Sequence, residues 1–221
     1  MDKLRIGFVI PCLNEEKTIY QIIKNIKQYG YVIVVDDGSI DKSSKIAEQA
    51  GAIVVKHIEN SGYEAALNTG FKKASQLGVD AVITLDADGQ HDPNLIPLFL
   101  QQLEQDNELV LGVRNKVPRL AERLFAFYSR LKCGIKDPLC GMKAYRMNVY
   151  NDLGFFDSYQ SVGSELAFYG ALKQYKISQI HFIVKDRQDQ SRYGQVFQAN
   201  FRILIALFKT IYHFRGHHSP L

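Results

Sequence analysis

The sequence predicts an α/β fold built on a mostly parallel open sheet with helices on both faces. Two observations carry the prediction. Short β-branched runs alternate with segments of helical period from residue 5 to residue 113, the spacing of parallel strands joined by crossover helices. One of those runs, residues 31–35, is apolar throughout, as a strand buried on both faces requires. Right-handed crossovers follow, and ligands are expected at the carboxyl ends of the strands.

Residues 5–10 read as the first strand, and 15–28 as an amphipathic helix with Ile19, Ile22, Ile23 and Ile26 on one face. The second strand covers 31–35. Asp41 is placed to cap a helix over 42–50, which Gly51 ends. Residues 52–55 form the third strand and 63–76 the next helix. A fourth strand over 79–85 leads to Asp92-Pro93, an N-cap and first-turn proline for a helix reaching Gln105. Residues 109–113 form the fifth strand.

With 221 residues, 46% of them hydrophobic, and no linker or repeat, the chain reads as one domain with a substantial core. Cys12, Cys133 and Cys140 are odd in number and lack zinc-site spacing, which argues against a disulfide framework and for the cytoplasm. The N-terminus enters a strand pattern at once and does not read as a secretory signal. No apolar run reaches the ~18 residues of a membrane span. Charge is unevenly placed. Residues 1–110 hold 10 Lys and Arg against 16 Asp and Glu, whereas residues 111–221 hold 17 against 7. An acidic half suits a divalent cation; a basic half suits an anionic partner or a membrane surface. Uneven scatter of solvated charges is the plainer account. No motif points to nucleic acid.

The strongest local signal is ITLDADGQHDP over residues 83–93. An apolar strand delivers two carboxylates one residue apart. If the backbone stays extended, Asp86, Asp88 and Gln90 fall on one side. Such oxygen donors suit Mg²⁺ or Mn²⁺, which bridge protein carboxylates to substrate phosphates. A solvated turn with capping aspartates is the structural alternative. The second cluster is VIVVDDGSID over 32–41, where Asp36 and Asp37 can accept hydrogen bonds from a ribose hydroxyl or a base. Turn chemistry explains Gly38 and Asp41 but not two adjacent acids. The third is IPCLNEE over 10–16, for which helix capping is an adequate account. Three strand ends carrying acidic or amide groups favour one shared crevice over three unrelated turns. Neither a P-loop nor a dinucleotide fingerprint occurs, so a bound nucleotide is held by carboxylates and a metal instead of a glycine cradle.

Read in order, IPCLNEE, VVDDGSID, NSGYEAALNTGF, LDADGQHDP, GVR, DPLCGMKAY and a late RYG resemble the family 2 glycosyltransferases of the GT-A fold. Among these, the sequence is most similar to the dolichol- and polyprenol-phosphate sugar transferases. The segments span roughly residues 5–195. The resemblance implies inverting transfer from a nucleoside-diphosphate sugar, with Mn²⁺ or Mg²⁺ on the diphosphate. It places Pro11, Asn14, Glu15, Asp36 and Asp37 at the nucleoside, and Asp86, Asp88 and Gln90 around the metal. Arg114 faces the phosphates, Asp137 borders the acceptor, and Glu165 and Arg192 match a late acid and a phosphate-binding arginine. Two segments depart from the family. Cys140-Gly141-Met142-Lys143 stands where Ser-Gly-Phe-Arg is common, and Gln195 follows Gly194 where the family continues toward Ser-Lys. Both departures bear on the acceptor.

The expected reaction is direct displacement at the anomeric carbon, with the metal and Arg114 stabilising charge on the leaving diphosphate. A lipid phosphate acceptor needs no protein base. A saccharide hydroxyl, as in surface-polysaccharide synthesis, needs a carboxylate within reach, and Asp137 and Glu165 are the candidates. A non-catalytic nucleotide-binding protein of the same fold is the remaining alternative. Two basic helical patterns favour a lipid-linked acceptor. In 118–132, Leu120, Leu124, Phe127 and Leu131 follow a core-like spacing beside Arg119, Arg123 and Arg130. In 195–214, Gln195, Gln198, Arg202, Ala206, Lys209 and His213 form one narrow line, with apolar residues elsewhere. That helix needs a large partner: the domain core, a second subunit in a homodimer, or the membrane interface. The expected organisation is a single domain, 1–221, with a donor and metal half to about residue 115 and an acceptor half from about 116. Any membrane attachment is expected to be peripheral, on the cytoplasmic face.

Overall fold

The computed structural model describes residues 3–89, 91–117, 119–184 and 196–215, with only the backbone of 196–198. Gln90 and Arg192 lie outside these residues. Strands β1 (Ile6–Cys12), β2 (Tyr31–Asp36), β3 (Ile53–Lys56) and β4 (Ala81–Thr84) pair in parallel, β1 lying between β2 and β4. Beyond them, β5 (Leu109–Arg114) and β7 (Ile177–Phe182) are parallel to each other. Strand β6 (Lys143–Arg146) runs antiparallel between β4 and β5. The sheet order is β3-β2-β1-β4-β6-β5-β7. The predicted α/β fold with a mostly parallel sheet is the one found. Register brings Cys12 level with Asp36, so the β1 and β2 ends open onto the same edge.

Alternation along β1 separates two cores. Phe8 and Ile10 pack with Ile19, Ile23 and Ile26 of α1 (Ile19–Ile26), joined by α2 (Ser43–Gln49) and α4 (Ile96–Glu104). Val9 faces the other way, toward Leu67 and Phe71 of α3 (Tyr63–Gln76). Gly70 permits that close approach, because a Cβ there would sit 2.2 Å from Val9 Cγ1. Phe71 is fully buried and stacks on Phe156 at 4.7 Å, just beyond α6 (Met147–Leu153). Burying each such side chain contributes about 1.5–3 kcal/mol.

Helix α1 starts at Ile19, later than its sequence pattern. The preceding backbone is held elsewhere: Asn14 has φ of 52°, and the N–H groups of Glu15 and Glu16 donate to Ser43 Oγ and Asp41 Oδ2. Asp92 accepts from Asn94 N–H, capping the turn Pro93–Leu95 that leads into α4.

A third layer packs α5 (Leu120–Cys133), α7 (Glu165–Leu172) and α8 (Val196–His213) around Phe125, Phe168, Ile203, Leu207 and Phe214. Helix α5 corrects the sequence expectation. Leu120, Leu124, Phe127 and Leu131, spaced like a core face, are all exposed, and the inward face is Ala121, Glu122, Phe125 and Ser129. Polar contacts set this rotation. Glu122 accepts from Arg114 and Arg119, and Ser129 Oγ donates to the Ile135 carbonyl. Buried polar groups without partners cost more than exposed leucines do.

Candidate active site

A cavity of about 480 Å³ opens at the carboxyl ends of β1, β2, β4 and β5. Of the residues singled out in the sequence, Pro11, Glu15, Asp37, Asp86, Asp88 and Arg114 line it. Asn14, Asp36, Asp137 and Glu165 do not. Asn14 Oδ1 accepts from Ile40 N–H and its own N–H donates to Ser39 Oγ, while Asp36 accepts from Ser39 N–H. These contacts tie the β1–α1 and β2–α2 loops together and shape the cavity edge. Asp37 is fixed harder. Its Oδ1 accepts from Ser61 N–H and meets His57 Nδ1 at 2.7 Å, and its Oδ2 accepts from Gly62 N–H. His57 in turn meets Thr69 Oγ1 at 2.9 Å. Nothing local in the sequence marks His57, since its role exists only because β2 and β3 are adjacent.

The DADG segment does not continue the strand. Pairing in β4 ends at Thr84, and the chain turns through Ala87 and Asp88 to Gly89 at φ of 76°. Alternation along an extended strand is therefore not what aims these side chains. The tight turn presents both carboxylates to the cavity, and a left-handed φ at Gly89 makes it possible. Asp86 is braced on two sides: Tyr63 donates its hydroxyl to Oδ1 at 3.1 Å, and Gly141 lies against the carboxylate. A Cβ on Gly141 would fall 2.1 Å from Asp86 Oδ2, so the position of this carboxylate depends on a glycine there. Burial and the Asp86 charge push the Tyr63 phenol well above its usual range, keeping it a donor.

Among the described residues, no three His, Cys, Asp or Glu side chains are grouped so that they could hold a metal ion by themselves. A pair of oxygen donors nonetheless fits Mg²⁺ or Mn²⁺, ions that fill their remaining positions with water and substrate phosphate. The carboxylates stand on a cavity wall with room for such a ligand.

Arg114, at the end of β5, is anchored by Asp137: Nε donates to Oδ2 at 2.8 Å and an Nη to Oδ1 at 2.9 Å. Glu122 accepts from the same Nη at 3.2 Å. These carboxylates hold the guanidinium firmly protonated despite its burial. Asp137, 2% exposed, thus orients Arg114 and is not itself presented to the cavity. Glu165 is fully buried at the start of α7, where it accepts from Ser158 N–H and Oγ and lies 3.6 Å from His213 of α8. Burial raises its pKa. Lys143 is buried too. Its Nζ donates to the Gly163 carbonyl at 2.7 Å, and burial pulls its pKa down to about 8 against the pull of nearby acids.

Helix α8 closes the cavity. Arg202 and Ile203 line it, and Arg202 reaches Glu64 of α3 at 2.9 Å. Of the polar line read along this helix, Arg202 pairs with Glu64 and His213 lies near Glu165, while Gln195 and the side chain of Gln198 lie outside the described residues. Cys12, Cys133 and Cys140 are free thiols.

A mostly parallel sheet with one inserted antiparallel strand, and a strand-end cavity walled by paired aspartates, defines the GT-A class of sugar transferases. The chain belongs to glycosyl transferase family 2, whose model matches residues 8–154. It is 38% identical over 138 residues to UDP-N-acetylglucosamine–dolichyl-phosphate N-acetylglucosaminyltransferase of Methanococcus voltae, covering 53% of this chain and 55% of that one. It is 32% identical over 164 residues to undecaprenyl-phosphate 4-deoxy-4-formamido-L-arabinose transferase of Pseudomonas fluorescens, covering 65% and 47%. The chain thus spans about half the length of these curated relatives. Among solved structures, it resembles glucosyl-3-phosphoglycerate synthase of Mycobacterium tuberculosis in complex with Mg²⁺ and uridine diphosphate. The TM-score is 0.76 and the identity 25%, over 94% of this chain and 79% of that one.

Proposed function

We propose that the chain is an inverting glycosyltransferase that moves a sugar from a nucleoside-diphosphate sugar to a polyprenyl phosphate, using Mn²⁺ or Mg²⁺, at the cytoplasmic face of a membrane. The observation that carries this reading is the convergence of Asp37, Asp86, Asp88 and Arg114 from separate strand ends on one cavity. In this reading, residues to about 115 form the donor side, where Pro11, Glu15 and Asp37 face the nucleoside. Asp86 and Asp88 hold the metal, with Gln90 as a third oxygen donor. A bound divalent cation supplies charge that offsets the leaving diphosphate. Arg114 adds a fixed positive charge at the cavity wall, preorganised by Asp137 and needing no reorientation as charge develops. By the family resemblance, Arg192 is a further phosphate-binding arginine. Direct displacement at the anomeric carbon then inverts it.

The surroundings of the two candidate bases favour a phosphate acceptor. A hydroxyl acceptor needs a free base within reach. Asp137 spends both oxygens on Arg114, and Glu165 is buried against Ser158. A phosphate acceptor is already ionised near neutral pH and needs neither. The two relatives named for dolichyl-phosphate and undecaprenyl-phosphate transfer support the same choice.

The test is a donor screen of UDP- and GDP-sugars with Mn²⁺, offering a short polyprenyl phosphate and an oligosaccharide in parallel. The expected product is a lipid-phosphate glycoside formed only with metal present. Product on the oligosaccharide alone would overturn the acceptor assignment, and donor binding without transfer to either would overturn catalysis.

A further inference from the structure

Helices α5 and α8 turn large apolar side chains outward. Leu120, Leu124, Phe127 and Leu131 of α5 are 68, 46, 64 and 67% exposed. Phe201, Ile205, Phe208 and Tyr212 of α8 are 59, 40, 69 and 74% exposed. Both stripes have the same helical spacing. The two helices pack together, and the Ala121 N–H donates to Asn200 Oδ1 at 3.2 Å, so the stripes start from neighbouring points at Leu120 and Phe201. A patch of this kind on a domain surface marks an interaction site.

Charge identifies what covers it. Arg123 and Arg130 are exposed between the apolar residues of α5, whose single carboxylate, Glu122, is buried under Arg114 and Arg119. Helix α8 contains no acidic residue. Against α5 lies a second cleft, of about 490 Å³, lined by Arg123, Arg130, Lys136 and His181. The one carboxylate among its lining residues, Asp137, is already bound to Arg114. Twofold pairing of this face with a second copy would set arginine against arginine with no acid to answer it. An anionic bilayer answers both features. Its hydrocarbon boundary takes leucine and phenylalanine, and its headgroup phosphates take the guanidinium groups.

We propose that α5 and α8 dock the protein on an anionic phospholipid surface, with a lipid phosphate seated in the Arg123, Arg130 and Lys136 cleft. Docking of this kind holds whichever acceptor receives the sugar, and its test involves no transfer reaction. The full chain is sedimented with phosphatidylcholine vesicles with and without phosphatidylglycerol. Binding to the phosphatidylglycerol vesicles, weakening with salt, is the expected result. Phe127→Ser with Leu131→Ser lowers partitioning about tenfold or more, because two exposed side chains lose their apolar burial. Arg123→Gln with Arg130→Gln lowers it about fivefold per charge and abolishes the lipid preference. All four side chains are exposed, so thermal melting of the variants stays close to that of the parent. A chain that remains in the supernatant, or that binds both vesicle types equally, overturns the proposal. A dimer in light scattering that Phe127→Ser dissolves, without vesicle binding, assigns the face to a second copy and overturns it too.

Discussion

Replacing Gly141 with alanine tests whether Asp86 belongs to the donor site. The new Cβ would fall 2.1 Å from Asp86 Oδ2 and 2.6 Å from its Cγ, where ordinary contact begins at 3.4 Å. Something must move by more than an ångström. The Gly141 backbone is pinned, since Thr84 Oγ1 donates to its carbonyl at 2.7 Å, and its φ is not one that alanine avoids. Asp86 has the freedom to yield, its side chain being 31% exposed. Swinging outward, it loses the Tyr63 hydrogen bond and its place on the cavity wall. The overpacking strain costs about 1–3 kcal/mol of stability, so the domain stays folded with its melting temperature lowered by a few degrees. Affinity for metal and nucleotide should fall about 10- to 100-fold, the effect of disturbing the surroundings of a ligand. Calorimetric titration of UDP or GDP in the presence of Mn²⁺ measures it. Unchanged affinity in a folded variant would refute the metal-site assignment, because the carboxylate would have moved without consequence.

Two further substitutions probe the buried charges. Asp137→Asn keeps the shape of the anchor but leaves Arg114 with Glu122 alone, and should cost about 3 kcal/mol in urea unfolding; a loss below about 1 kcal/mol would show that water, not Asp137, compensates the guanidinium. Lys143 titrates near pH 8 when folded and near its ordinary 10.5 when unfolded. Below pH 8 both states carry the proton and the burial penalty is constant. Between the two values the folded state sheds its proton first, so stability rises with pH. Relative to Lys143→Met, the parent should gain roughly 3 kcal/mol across this window, and parallel stability curves for the two proteins would contradict it.

The donor half was legible because its signals are local. The run 31–35 and helix 63–76 stand where the sequence places them, since each combines a clear period with a defined end. Strand β6 was not legible. Its four residues, Lys143–Arg146, carry charge at both ends and no apolar run, and they form a strand only because β4 and β5 leave a gap between them. Helix α5 was legible as a helix but not in its orientation. Its spacing points Leu124 and Phe127 inward; the Arg114–Glu122 contact across the sheet edge points them outward. The DADG aspartates were found for the right composition and the wrong geometry, a turn in place of a continued strand. Pairings such as Asp37 with His57, or Glu64 with Arg202, join residues 20 and 138 positions apart, and no pattern along one chain encodes such partners.

The segment entering β6 ties the two sides of the cavity to one another. Asp137 holds Arg114, Gly141 backs Asp86, and the Lys143 N–H donates to Thr84 Oγ1, all within seven consecutive residues. In the family resemblance this stretch borders the acceptor, yet its physical contacts set the side chains that the proposed function places at the donor. Under the proposed function, randomising this stretch would alter the donor and acceptor sides together. Positions 138 and 139 carry none of those three supports, and Leu139 itself lines the cavity, so substitution there reshapes the cavity wall while Arg114, Asp86 and Thr84 keep their partners.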